Sequence, residues 1–377
     1  MLIDRRTFLL NALAAAGTCA AMATGCSRRR ESSTLSSAAQ YLWTQQADDG
    51  GFHSTTYGLL RSGQSLTPFV LVALLGVPDS ESSRPRGAVE RALTFIRAHT
   101  NADGVVGLMD DTAADYPNYA TALAVCAMVK ARTPGYENII EPMVAQLRAQ
   151  QFSEGNGWAL KNAPYGGWGM GGPIHRPPQP GHVDLSMTRH VLEALRLSGV
   201  PASDPVMTRA LTYLQLSQNL DGGFYFSPVN PEINKAGESG GSFTSYGTAT
   251  ADGVLALRAA GVPDDDPRIA KAITWLKDHH QPDRAPGFDD GTGQPWGTGL
   301  RFYYAHAISR VLPNLPIELP PQSSDRSFRN PINLVKEDDP VIATAFALYV
   351  MSRYSHPQSS LDTRKTTWQR PGPVEMA

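Results

Sequence analysis

The stretch Gln218-Asn219-Leu220-Asp221-Gly222-Gly223-Phe224 puts a helix-ending Gln, an Asp-Gly-Gly turn and an aromatic residue in direct succession. Weaker copies return at Gly51-Phe52, Asp103-Gly104, Gly157-Trp158 and Gly287-Phe288, at intervals of roughly 50 to 65 residues. A helical pattern precedes each turn, over 38–45, 89–97, 143–150, 207–218 and 269–279. Another follows each, over 68–75, 119–129, 184–197, 248–260 and 300–311. Apolar residues such as Leu192, Leu195 and Leu197, or Val254, Leu255 and Leu257, gather on one side of the helix, Leu192 with Leu195 and Val254 with Leu257 three apart, giving the second helices a buried face. Period-two alternation is scarce, so the repeat is a helical hairpin, and one hairpin cannot bury its own apolar face.

The connections between hairpins repeat as well. Gly76-Val77-Pro78, Gly199-Val200-Pro201 and Gly261-Val262-Pro263 follow second helices. Glycine there can take the left-handed cap, and proline stops continuation. Asp204-Pro205 and Asp266-Pro267 supply an N-cap acceptor and a proline suited to the first helical position. A sixth unit is degenerate: Leu312–Pro321 carries Pro313, Pro316, Pro320 and Pro321, yet Asp339-Pro340 opens an apolar helix from Val341 to Met351. Terminal repeats are commonly atypical in this way.

The Gln-x-x-Asp-Gly-Gly-Phe turn between paired helices resembles that of squalene cyclases and protein prenyltransferases. Gly166-Gly167-Trp168-Gly169, Asp184-Leu185-Ser186-Met187-Thr188, Ser245-Tyr246-Gly247-Thr248 and Phe302-Tyr303-Tyr304-Ala305-His306 look like the bacterial prenyltransferase/squalene oxidase repeat proteins. The resemblance implies an all-α fold, a single-domain α/α toroid of the α6/α6 type over residues 35–355, with inner and outer helices in concentric rings.

Cyclases use an Asp-x-Asp-Asp acid to protonate an alkene. The nearest run, Asp264-Asp265-Asp266, lies between a Val-Pro helix stop and Pro267, which reads as an N-cap loop. Asp289-Asp290 sits in a glycine-rich turn. Protein prenyltransferases hold zinc with an Asp-x-Cys at one inner-helix start and a His on the next inner helix. Tyr246-Gly247-Thr248 and Tyr304 stand at the matching positions, and His306 lies about 200° round the helix from Tyr304. No metal is therefore expected. Cys126-Ala127-Met128 does not match a thioester motif, and no phosphate loop or dinucleotide fingerprint occurs, so no cofactor is expected either.

The polar set at the inner-helix starts remains. Asp184, His306, Tyr246 and Tyr304 are the catalytic candidates; His182, Thr188, Thr248, Asp252, Tyr303 and Trp168 are the ligand-binding candidates. Each has a bland alternative: Asp184 as a cap, the tyrosines as packing, His306 as a core histidine. Converging on one cavity, they would suit an apolar or isoprenoid-like small ligand, with the question of turnover left open. A glycan-active toroid is the alternative, with Trp158, Trp168, Trp296 and Tyr165 stacking on sugars and Asp184 or Asp252 as acid or base. A non-catalytic scaffold is the third reading.

Formal net charge is −2, with no basic footprint for nucleic acid. At the start, Asp4-Arg5-Arg6-Thr7-Phe8-Leu9-Leu10 resembles a twin-arginine export signal, and Ala23-Thr24-Gly25-Cys26 resembles a lipobox. These motifs imply an export signal over 1–25, Cys26 lipidated, a tether over 26–34, and a periplasmic, lipid-anchored protein in the cell envelope. The last residues, 356–377, read as a disordered tail. Of three cysteines, only Cys126 would then stay free within the folded part.

Overall fold

The computed structural model describes residues 34–108, 115–132, 134–289, 291 and 293–355. The export motif, Cys26, Asp290 and residues 356–377 lie outside the described residues. Helix α1 covers 34–44. It is followed by α2 (Leu66–Leu75), α3 (Ala88–Ala98), α4 (Pro117–Ala131), α5 (Glu137–Ala149), α6 (Leu185–Leu197) and α7 (Pro205–Leu216). Then come α8 (Gly247–Ala259), α9 (Pro267–His279), the single turn α10 (Trp296–Gly299), α11 (Arg301–Val311) and α12 (Pro340–Ser355). The one sheet among the described residues is a two-residue ribbon, Glu238–Ser239 with Ser242–Phe243.

Helices α2, α4, α6, α8, α11 and α12 pack in that order, and α12 returns to α2, so the inner ring closes on itself. Outer helices α3, α5, α7 and α9 each pack on the inner helices of their own hairpin or its neighbour. The sixth outer position is filled by the proline-rich segment 312–339, which has no helix. It is tied to α1 by hydrogen bonds from Ser37 to Gln322 (2.9 Å) and from Arg326 to Gln40 (3.2 Å). Closing the ring removes the exposed apolar flank that an open hairpin array would leave.

The recurring turn has a shared physical basis. Gly50, Gly104, Gly166 and Gly222 take φ between 81° and 90°, and a Cβ on any of them would strike backbone atoms of the next outer helix, at Arg91, Pro142, Arg209 and Lys271. The turn Gln completes the joint. Gln46, Gln151 and Gln218 each donate from Nε2 to the carbonyl of their turn glycine and to a carbonyl at the start of the next outer helix, at Ala88, Val206 and Arg268. One amide thus pins each turn to the following hairpin.

A second strut locks the turn to its own inner helix. The backbone N–H groups of Phe52, Val106, Trp168, Phe224 and Phe328 donate to the hydroxyls of Thr67, Thr121, Thr188, Thr250 and Thr344 at 2.8–3.1 Å. These bonds fix the register of the repeat, and they correct the sequence reading of the third unit. Its turn is Gly166-Gly167-Trp168; Gly157, although also at positive φ, faces only Pro177. Gly199 and Gly261 take the expected left-handed cap, at φ 92° and 91°. Gly76 does not: at φ −76° it continues the helical conformation.

Candidate functional site

The inner helices all run the same way, so their N-terminal ends surround one opening and their C-terminal ends the other. At the N-terminal end is a cavity of about 330 Å³. Its apolar wall includes Phe69 of α2, Tyr119 of α4, Met187 of α6, Phe226, and Ile342 and Phe346 of α12. His182, Asp184, Ser186, Tyr303, Lys235, Lys336 and Glu337 supply its polar groups.

Asp184 does two jobs. As N-cap of α6, its Oδ1 accepts from the Met187 N–H at 2.7 Å, satisfying a helix-terminal donor where the helix dipole favours negative charge. Its Oδ2 lies 2.6 Å from Nε2 of His182, which is partly exposed at the cavity. Its carboxylate therefore orients the imidazole. Glu337 is the corresponding group at α11: it accepts the N–H groups of Phe302 (3.0 Å) and Tyr303 (2.8 Å) and the side-chain amide of Asn330 (2.9 Å). Burial pushes its carboxyl up to about 7, against the pull of those three donors.

Below the cavity a polar relay crosses the barrel. Ser186 Oγ and the Tyr303 hydroxyl are 2.6 Å apart, and Tyr303 donates to Oδ2 of Asp252 at 2.7 Å. Oδ1 of Asp252 faces Nε of Arg189 at 3.7 Å. Burial lifts the Asp252 carboxyl to about 6, outweighing Arg189 and the Tyr303 hydrogen bond.

Beyond the relay, towards the C-terminal ends, is a second cavity of about 70 Å³. Arg189, Glu193, Arg310, Lys130, His190 and His306 face it. Arg310 grips Glu193 with two hydrogen bonds (2.7 and 3.2 Å), and Nε of Arg189 approaches the same carboxylate at 3.3 Å. Burial alone would raise the Glu193 carboxyl, but the two guanidinium groups hold it down at about 2. His190 donates from Nδ1 to the Ser186 carbonyl (2.8 Å) and accepts from Arg189 Nη1 at Nε2 (2.7 Å), an arrangement that requires the neutral ring. Burial and Arg189 push its pKa well below the ordinary value, in the same direction.

The sequence candidates therefore divide into three groups. Asp184, His182 and Tyr303 line the N-terminal cavity, and Asp252 lies beneath it. His306 faces the other cavity, packed against Tyr349 with ring centroids 4.5 Å apart and the planes tilted by 38°, and does not meet Asp184. The remaining candidates lie in the packing between hairpins. Tyr304 reaches Nδ1 of His280 at 2.9 Å, Tyr246 packs on Phe288, and Gly287 is crowded against Tyr246. Thr188 is spent in the turn strut, Trp168 donates to the Leu147 carbonyl, and Thr248 is buried outside both linings. Trp158 and Tyr165 are buried in a separate apolar cluster with Phe152, away from either cavity. Among the described residues no group of three His, Cys, Asp or Glu side chains is placed to hold a metal ion.

Sequence reasoning did not reach Glu193, Arg310, Glu337, Lys235 or Lys336. The i, i+4 spacing of Arg189 and Glu193 was a readable signal. Glu337 carried none, because it caps a helix more than thirty residues upstream in the chain.

Residues 179–294, from the loop before α6 through α9, match the family model of the squalene-hopene cyclase C-terminal domain. The squalene–hopene cyclase of Bradyrhizobium diazoefficiens is 34% identical over 133 residues, covering 35% of this chain and 17% of that protein. A probable squalene–hopene cyclase of Sinorhizobium fredii is 30% identical over 134 residues, covering 36% of this chain and again 17% of the relative. The matched region is thus a small part of those longer proteins. A type II terpene cyclase from Scytonema, solved with its product merosterolic acid A, superposes with a TM-score of 0.54 at 14% identity, over 87% of this chain and 98% of its own. The unsaturated glucuronyl hydrolase of Bacillus sp. GL1 superposes with a TM-score of 0.55 at 12% identity, over 86% of this chain and 96% of its own. At such identities the structural likenesses speak to fold alone. With its ring of six inner helices closed, and the matched segment forming two of the hairpins that build it, the chain is a terpene cyclase-like α/α toroid.

Proposed function

We propose that the protein holds an apolar, isoprenoid-like ligand in the cavity at the N-terminal end of its inner ring. The observation that carries this reading is the cavity itself: about 330 Å³, walled by Phe69, Tyr119, Met187, Phe226 and Phe346, with a few polar groups at its floor and mouth. The Scytonema cyclase of similar fold was solved with geranylgeranyl dihydroxybenzoate as substrate, which supports an isoprenoid occupant. The same cavity argues against alkene protonation as its chemistry. That step needs an acid stronger than an ordinary carboxyl, whereas burial makes Asp252 and Glu337 weaker acids than usual. His182, oriented by Asp184, is the group placed for proton transfer to or from a bound ligand.

A glycan-binding reading is favoured by one observation, the two carboxylates Asp184 and Glu337 in a single cavity. It loses three of its four stacking residues, since Trp158, Trp168 and Tyr165 are buried elsewhere, whereas Trp296 stays partly exposed beside Lys235. We further propose that the toroid is exported and tethered by lipid in the cell envelope, a reading that the twin-arginine-like motif and Cys26 support; among the described residues no helix is long and apolar enough to cross a membrane. Native mass spectrometry of the full chain purified from envelopes, with extraction of bound molecules, tests the reading. An isoprenoid recovered at near-stoichiometric amount supports it, and a bound oligosaccharide or an empty protein overturns it. Fatty-acid labelling that marks the wild type and a Cys26→Ala variant equally would remove the lipid anchor.

A further inference from the structure

The second cavity, at the C-terminal end of the inner ring, is built for charge. Arg189, Arg310, Lys130 and Arg353 all face it, and Glu193 is the one carboxylate among its lining residues. The histidines there, His190 and His306, are held neutral by burial and by these cations. Glu193 is gripped by Arg310 and leaves Arg189, whose Nε only approaches it at 3.3 Å, incompletely satisfied. Asp252 reaches Arg189 only at 3.7 Å, and its other oxygen is engaged by Tyr303. Arginine stays charged in any protein environment. A fully buried guanidinium without full compensation is costly.

Three observations aim this charge at a ligand. Nη2 of Arg189, which is completely buried, has no hydrogen-bond partner among the described residues; Nδ1 of His306 has none either. Lys130, half-buried on the same wall, makes no ion pair or hydrogen bond among the described residues. Helix dipoles account for part of the ring: Lys130, Arg310 and Arg353 lie in the last turns of α4, α11 and α12, where positive charge is favoured. They do not account for Arg189, which sits in the second turn of α6, far from its C-terminal end. The volume of about 70 Å³ is several times what one water requires, and too small for an isoprenoid.

We propose that this cavity is a binding site for a small anion, a halide or a single carboxylate group, held by Arg189 from within and by Lys130 and Arg310 at the wall. The site is separate from the apolar cavity and does not depend on what that cavity holds. The anion takes the unpaired guanidinium N–H and neutralises the excess positive charge at the barrel centre.

The test is chloride-35 NMR line broadening by the full chain, titrated with sodium chloride at constant ionic strength set by an excluded bulky anion. Wild type should broaden the line saturably, acetate should reverse the broadening, and Lys130→Met should weaken binding by about tenfold or more. Lys130→Arg should retain it within about threefold. Lys130 gives up no hydrogen bond in either variant, so both should stay folded, and a melt of each beside the wild type separates lost binding from lost folding. Absence of saturable broadening in the wild type overturns the proposal, as does equal binding by Lys130→Met. Binding of chloride that acetate does not displace restricts the site to halides and sinks its carboxylate half.

Discussion

The two ends of the inner ring are made from the same six helices yet hold opposite chemistry. At the N-terminal end, Asp184 and Glu337 satisfy the starts of α6 and α11, and the space between is an open cavity lined by aromatic and aliphatic side chains. At the C-terminal end, basic residues close α4, α8, α11 and α12, and the space is small and charged. Each end follows the local field of its helices, acids at the positive ends and bases at the negative ends. What distinguishes them is stoichiometry. The acids at the top are nearly all engaged by N–H donors, while the bases at the bottom outnumber their partners. The relay of Ser186, Tyr303, Asp252 and Arg189 divides the two compartments.

The comparison can be broken most severely at Glu193. Glu193→Gln leaves Arg189 and Arg310 without their shared carboxylate, and should cost about 3–5 kcal/mol, read by urea denaturation. A loss below about 1 kcal/mol would mean that something else compensates the two guanidinium groups. At the top, Glu337 should make stability depend on pH. Its folded pKa is raised to about 7 from a usual value near 4.5, so the folded state holds a proton that the unfolded chain has released. Stability is then greatest below the unfolded value and falls as pH rises towards 7, by roughly 2–3 kcal/mol. Asp252, raised to about 6, acts in the same direction. Glu337→Gln should flatten much of that slope; an unchanged slope would show that the carboxyl ionises freely in the fold.

A smaller effect is expected at the struts. Thr250→Val leaves the buried N–H of Phe224 unpaired and should cost about 1–3 kcal/mol in a thermal or denaturant melt. The same change at Thr67, Thr121 or Thr344 should cost a similar amount if the repeat is energetically as well as geometrically regular. Asp184→Asn should be smallest, at or below about 1 kcal/mol, because Asn also caps helices well. It should nevertheless weaken ligand capture, since His182 loses its carboxylate partner.

The fold was legible because its signals are local. Each Gln-to-Gly turn, each Gly-Val-Pro stop and each Asp-Pro start sits within a few residues of the geometry it causes, and all agree. The third turn was misplaced because Gly155-Asn156-Gly157-Trp158 imitates the motif nine residues ahead of Gly166-Gly167-Trp168. The threonine struts have a local signal as well, one Thr within the first five residues of five inner helices. The site was less legible because it depends on helix rotation. Tyr303 and Tyr304 differ by one position, about 100° of helix. That step sends Tyr303 into the cavity and Tyr304 out towards His280. Glu337 and Lys235 arrive from loops far away in sequence, and no local pattern announces them.

The central claim is that the N-terminal compartment, and not the C-terminal one, takes an apolar ligand. Equilibrium binding of geranylgeraniol should be compared in wild type, in Ile342→Trp, which fills the upper cavity, and in Cys126→Phe, which fills the lower. The account predicts saturable one-to-one binding, weakened about tenfold or more by Ile342→Trp and changed less than about twofold by Cys126→Phe. Equal losses in the two variants, or no saturable binding by the folded wild type, would contradict it.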